Sequence, residues 1–153
     1  MPRMSFKQVD ISSKPVVYRE ATATGRIRLK SSTVRLIRGG KLEKGDPLSL
    51  AKLTGILAAK QAPSLLPLCH LLKIEKTEVR TKVGDDSVEV SVTVSAREKT
   101  GVEMEALTAV AVALLNIWDI AKSYEKDERG QYPATAIESI RVVRKVKGPI
   151  EAS

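Results

Sequence analysis

With 153 residues and 16.7 kDa, the chain has the size of one domain, and 42% hydrophobic with 29% charged residues excludes a disordered or fibrous protein. A single cysteine, Cys69, and a single histidine, His70, exclude an internal disulfide, a Cys₄ or Cys₂His₂ zinc site and a three-histidine metal centre. Twenty-six Lys and Arg against eighteen Asp and Glu give a net charge of +8, a field that attracts nucleic acid, anionic surfaces or small phosphorylated substrates.

Residues 1–15 read as a loosely structured N-terminal arm, ahead of a single domain over 16–153. The chain opens Met-Pro-Arg-Met-Ser-Phe-Lys with no apolar segment, so no secretory signal is expected. Val16 to Lys30 is rich in Val, Thr and Ile with partial alternation and predicts a strand. Ser31-Ser32 is the expected cap of a short helix over Thr33 to Arg38, which Gly39-Gly40 ends. After a turn or loop at Lys41 to Gly45, Asp46 as N-cap and Pro47 at the first helical position open a helix to about Gln61. Its apolar face is expected on Leu50, Leu53, Leu57 and the stem of Lys60, and Ala62-Pro63-Ser64 is expected to break it.

Leu65 to Leu72 is apolar around one Pro, Cys and His and leads into a strand through Val83. Gly84-Asp85-Asp86 turns into Ser87 to Arg97, where Val88, Val90, Val92 and Val94 share a face, the clearest hairpin in the chain. A long helix over Glu103 to Lys126 is apolar almost all round its middle and predicts a buried central element. Its apolar stretch, Ala106 to Trp118, is interrupted by Thr108 and Asn116 and falls short of a membrane span. A loop at 128–136 precedes a final strand, Ile137 to Lys147. Strand, two helices, two strands, helix, strand is the split βαβ order of an α+β, ferredoxin-like sandwich: an antiparallel sheet with helices packed on one face, plus one extra helix. That fold hosts many unrelated functions.

Three segments could carry chemistry. Cys69 and His70 are adjacent, which on a strand would point them to opposite faces; they read either as a core cysteine beside a satisfied histidine or as a site histidine. Glu103 and Glu105 are two apart, so in a helix they diverge by about 160° and only one enters a given pocket; acids there also complement the helix dipole. Asp119 and Lys122 lie three apart and Lys122 and Lys126 four apart, so they share a stripe, and Glu105 falls with all three inside an arc of about 100°. Such a stripe faces solvent or a polar pocket. In a pocket, lysines would bind oxyanions, and burial beside like charge could lower a lysine pKa enough for acid–base work. No Walker A, G-x-G-x-x-G or G-x-S-x-G sequence is present, so P-loop, Rossmann and α/β-hydrolase readings fail.

Together the segments resemble a known family. Leu68-Cys69-His70, the run Lys-Thr-Gly-Val-Glu-Met-Glu-Ala-Leu-Thr-Ala over 99–109 and Asp-Ile-Ala-Lys-Ser-Tyr-Glu-Lys-Asp over 119–127 look like the cyclic pyranopterin monophosphate synthase family, accessory protein C of molybdenum cofactor biosynthesis. Val9-Asp10-Ile11-Ser12, Arg19-Glu20-Ala21, Lys44-Gly45-Asp46, Ala51, Gly55-Ile56 and Ala58-Ala59-Lys60 extend the match upstream. The resemblance implies a cytoplasmic lyase with no tightly bound cofactor. Such an enzyme converts 3′,8-cyclo-7,8-dihydroguanosine 5′-triphosphate to cyclic pyranopterin monophosphate and releases pyrophosphate, with Mg²⁺ possible on the substrate phosphates and no metal site in the protein. It also implies a ferredoxin-like fold and a homo-hexamer, a trimer of dimers with the site at a subunit interface. Asp119 falls at the catalytic position, and Lys44 and Lys122 match lysines of the chemistry. Leu68, Cys69, His70, Met104 and Glu105 match substrate-binding positions, and Glu103, Lys60, Lys126, Asp10 and Asp127 match other pocket positions. Leu71 replaces the proline the family commonly carries after this histidine, and Glu128 to Pro133 is longer than the loop the family leads one to expect. Val146-Lys147-Gly148-Pro149 stands where many bacterial members carry a Gly-Gly-Lys-Ser-Gly tail.

A rival reading is a basic ferredoxin-like module binding nucleic acid on its sheet. Only 3% of residues are aromatic and they are scattered, whereas base stacking needs grouped platforms. Neither a nucleic-acid nor a membrane partner is therefore expected.

Overall fold

Period-two burial sets the two central strands. The computed structural model describes residues 5–149; residues 1–4 of the expected arm and 150–153 of the expected domain lie outside them. Along β1 (Val17–Arg28) and β3 (Ser87–Glu98), Ala21, Ala23 and Ile27 and Val88, Val90, Val92 and Val94 are buried. The alternate positions carry Thr22, Thr24, Ser91 and Thr93, and the Thr22 and Thr93 hydroxyls meet at 2.7 Å on the open face. β1 and β3 pair antiparallel, β2 (Lys76–Val83) flanks β3 and β4 (Ala136–Gly148) flanks β1, giving the order β2-β3-β1-β4. With the helices α1 (Ser31–Arg38), α2 (Pro47–Leu65) and α3 (Glu103–Glu125), this is the expected α+β, ferredoxin-like architecture.

α3 is the core of the molecule. Ala106, Ala109, Val110, Ala113, Leu114, Ile117 and Ala121 are fully enclosed between α2 and the sheet, and each fully buried Val, Leu or Ile side chain contributes about 1.5–3 kcal/mol. By length and composition α3 could cross a membrane, which corrects the expectation that it falls short. Its apolar surface instead faces the protein's own sheet and α2. It crosses β1 so closely at Gly25 that a Cβ there would stand 2.9 Å from both Leu114 Cδ1 and Val110 Cγ1.

Three expectations need correction. Ala62-Pro63-Ser64 does not break α2, which runs on to Leu65 with Pro63 inside it. So near the C-terminus proline removes one bond, while the Leu66 N–H still closes the last turn on Ala62 O (2.9 Å) and Ala62 stays buried. The apolar face of α2 is only partly the leucine stripe: Leu50 packs against the core, but Leu53 and Leu57 are 64% and 51% exposed, and Ala51, Gly55, Ala58, Ala59 and Ala62 are buried in their place. Small residues let α2 approach its neighbours; a Cβ at Gly55 would stand 2.8 Å from Val79 Cγ2. Finally, α1 starts at Ser31 with Lys30 as N-cap and no side-chain cap of its own. Its first turn is capped from across the molecule by Glu125, whose carboxylate accepts the Lys30 N–H (3.1 and 3.2 Å).

Candidate active site

Most of the candidate residues gather towards the two ends of α3. Towards its C-terminal end, a short loop delivers Lys44. Gly40 (φ 65°) ends α1 in the left-handed conformation, with the Lys41 N–H returning to Leu36 O (2.9 Å). Gly45 (φ 122°) then leads into Asp46, whose Oδ1 accepts the Leu48 N–H (3.0 Å) and caps α2. Between them Leu42 is buried and Lys44 reaches over α3. Its Nζ lies 3.2 Å from Asp119 O and 3.4 Å from Asp119 Oδ1, and Lys122 Nζ lies 3.0 Å from the same Oδ1.

Lys122 and then Lys44 hold the Asp119 carboxyl below its ordinary range. In turn Asp119 holds the Lys122 ammonium above the ordinary lysine range. This corrects the expectation of a lysine depressed by burial: the group stands exposed beside a counter-charge. Exposed pairs contribute little to stability, so a three-member cluster on one carboxylate is better suited to chemistry. It sets two lysine side chains on one carboxylate, an arrangement able to grip oxyanions and donate protons.

At the N-terminal end of α3, Leu68, Cys69, His70, Glu103 and Met104 line a cleft of about 480 Å³, together with Lys7, Val9, Ile11, Lys14 and Gly101. Residues 5–15 form no helix or strand, yet the arm is tied down. His70 Nε2 lies 2.6 Å from Val9 O and Lys99 Nζ lies 3.2 Å from Ser12 O. A carbonyl only accepts, so His70 carries its proton on Nε2 and leaves Nδ1 for a ligand. Cys69 and His70 lie outside any strand and line the same cleft.

α3 begins at Glu103, so the two glutamates diverge as the helical spacing predicts. Glu103 meets Lys145 Nζ at 3.4 Å, and a Cβ at Gly101 would collide with its carboxylate. Glu105 turns inward and is 1% exposed. Its Oε2 faces the Cys69 thiol at 3.6 Å, while its Oε1 is buried without a partner among the described residues. Burial pushes the Glu105 carboxyl up, and burial with the Glu105 charge pushes the Cys69 thiol up to about 11.

The remaining candidates are scattered. Asp10 stands by the cleft, where the Ser12 N–H (2.9 Å) holds its carboxyl low. Lys60 lines a separate cleft with Ile56, Leu72, Ile74 and Lys76. Lys126 is the C-cap of α3, off the helix. Asp127 Oδ1 accepts the Arg129 and Gln131 N–H groups (2.8 and 2.9 Å), so it folds the 128–133 loop. The expected arc therefore does not face one pocket. Glu105 is buried and Asp119 exposed, and their separation of 14 positions spans about 21 Å of helix axis. Sequence reasoning missed the Glu103 contact of Lys145, visible only as part of a basic final strand, and the contact of Tyr124 with the Lys44 loop, for which the sequence holds no signal.

A model of the MoaC family matches residues 8–148. The chain belongs to the MoaC family. Relatives in Pyrococcus horikoshii and Thermococcus kodakarensis are 55% and 54% identical, over 92% and 93% of this chain and 89% and 91% of their own lengths. One in Sulfurisphaera tokodaii is 54% identical over 92% of this chain and 93% of its own. Each is named a probable cyclic pyranopterin monophosphate synthase. Every candidate residue above lies within the MoaC match.

In this MoaC-family site the raised Cys69 pKa makes a specific prediction. With a pKa of about 11, the thiolate fraction at pH 8 is roughly two hundredfold below that of an unperturbed cysteine. Iodoacetamide is expected to modify Cys69 correspondingly slowly at pH 8, and faster in Glu105→Gln, which removes the neighbouring charge. Alkylation at the rate of free cysteine would contradict the assignment.

Proposed function

We propose that this MoaC-family chain is a pyrophosphate-releasing lyase of molybdenum cofactor biosynthesis. It converts 3′,8-cyclo-7,8-dihydroguanosine 5′-triphosphate to cyclic pyranopterin monophosphate in the cytoplasm. The observation that carries the reading is the pair of lysines, Lys44 and Lys122, held on one Asp119 carboxylate in a chain more than half identical to relatives of that name. Their positive charge suits a triphosphate, and their protons suit a purine ring that must be opened and rebuilt. The lysines grip the phosphates, and these contacts strengthen as pyrophosphate leaves; His70 lines the cleft at the other end of α3. Lys44 and Lys122 donate and recover protons during ring opening, and Asp119 orients them. Leu68, Cys69, Met104 and Glu105 enclose the base at the other end of α3.

Among the described residues no three His, Cys, Asp or Glu side chains are grouped to hold a metal, so magnesium in this proposal travels with the substrate phosphates. The separation of the two clusters along α3 supports a site shared between copies, one copy's lysine cluster meeting another's cleft, within the homo-hexamer of this proposal. The test is turnover. Purified protein with the cyclised substrate and magnesium is expected to release pyrophosphate and yield a product whose oxidation gives a fluorescent pterin, with the activity eluting as a hexamer. A folded protein that yields neither product overturns the reading.

A further inference from the structure

Lys44 sits in the segment between two glycines with positive φ, Gly40 at 65° and Gly45 at 122°. The internal bond there, Gly45 N–H to Leu42 O (3.2 Å), is local, and Leu42 is the buried anchor. Neither hydrogen-bonds the peptide between Leu42 and Glu43 to α3. One contact does: the Glu43 N–H donates to Tyr124 Oη at 2.8 Å. Tyr124 is itself held. Its ring packs against the core, its carbonyl accepts from Lys30 Nζ (3.3 Å), and the next residue, Glu125, is fully buried and bonded on both oxygens. The hydroxyl is thus a rigid post one residue from the lysine, two residues along α3 from Lys122 and five from Asp119.

We propose that Tyr124 is a positioning residue for Lys44: its hydroxyl fixes the Glu43 amide and so the loop geometry in which the Lys44 ammonium meets Asp119. Tyr124 itself need not touch substrate. This inference rests on the reading of Lys44 as part of the reacting site. The side chain of Lys44 is 47% exposed, so without that tether its flexible stem samples many positions, and lost positioning lowers rate rather than stability.

The test is a double-mutant cycle with Tyr124→Phe, which keeps the ring and removes only the hydroxyl, and Lys44→Ala. In the wild-type background Tyr124→Phe is expected to lower kcat/KM by about tenfold. In the Lys44→Ala background it is expected to cost less than twofold, because the residue acts only through the lysine. A residue serving the fold alone would cost the same in both backgrounds, and multiplying losses, or no loss in Tyr124→Phe, overturn the proposal. Two readouts need no turnover. In Tyr124→Phe the Glu43 amide is expected to exchange faster with solvent, and the Lys44 side-chain NMR signals to move towards those of a free lysine while those of Lys122 stay in place. Unmoved Lys44 signals overturn the proposal even if Lys44→Ala is too slow to assay. If wild type turns over no substrate but the signals move as expected, the proposed activity fails and the positioning of the loop stands.

Discussion

Lys122→Ala is expected to lower kcat/KM by roughly 10²–10³-fold, the usual cost of removing one preorganised group that stabilises charge in the transition state. Its folding should hardly change, since the side chain is exposed and its pair with Asp119 lies at the surface. The charge logic adds a second reading from Asp119→Asn. Asp119 is the counter-ion of two ammonium groups at 3.0 and 3.4 Å, and its removal leaves two like charges facing one neutral side chain. Lys122, now held above the ordinary lysine range by that carboxylate, should titrate at lower pH. A group with a raised pKa stays protonated until pH climbs through the raised value; losing the counter-ion brings that point down. The alkaline limb of the kcat/KM profile, which reports the free enzyme, is therefore expected to move to lower pH in Asp119→Asn. Turnover of Lys122→Ala within a few-fold of wild type would remove the lysine from the mechanism.

The sequence was most legible where one physical pattern dominates. Val88, Val90, Val92 and Val94 alternate because one face of β3 is sealed under α3, and period two is the direct image of that burial. The divergence of Glu103 and Glu105 followed from helical angle alone. Misreadings arose where a residue's environment depends on something distant. Leu53 and Leu57 read as inward-facing because size suggests burial, yet close packing against α3 and β2 demands Ala51, Gly55 and Ala59 and leaves both leucines outside. The stripe on α3 was correct in angle but blind to distance along the axis, so it merged Glu105 with Asp119. The direction of the Lys122 shift is not legible in the sequence, because exposure and the Asp119 counter-charge are properties of the folded surface. Lys44 entered only through family resemblance; a lysine between two glycines has no periodicity to betray it. Its partner on α3, Asp119, is 75 residues away, and the contact of the neighbouring Glu43 with Tyr124 spans 81.

Glu125 shows the same distance effect in its strongest form, and its replacement is expected to be the most damaging to the fold. The residue is fully buried, at the last position of an apolar helix, where the sequence suggests only a solvated end. Its carboxylate instead gathers the Lys30 N–H at the start of α1, the Thr33 hydroxyl and the Thr135 hydroxyl (2.7 Å). An anion is favoured at a helix N-terminus, and here one side chain ties α1, the end of α3 and the entry to β4 together. Glu125→Ala leaves those donors buried without an acceptor and opens a cavity; with about 1–3 kcal/mol for each orphaned group, a loss of about 3–5 kcal/mol is expected. Glu125→Gln keeps one accepting oxygen and the volume, and should lose about half as much. Urea unfolding at a fixed protein concentration measures both. If Glu125→Ala unfolds within about 1 kcal/mol of wild type, the carboxylate is not the cap of α1. The ordering matters as much as the size, because Glu125 also fixes the backbone of Tyr124 and hence the Lys44 loop. Glu125→Gln should therefore retain more turnover than Glu125→Ala under conditions where both remain folded.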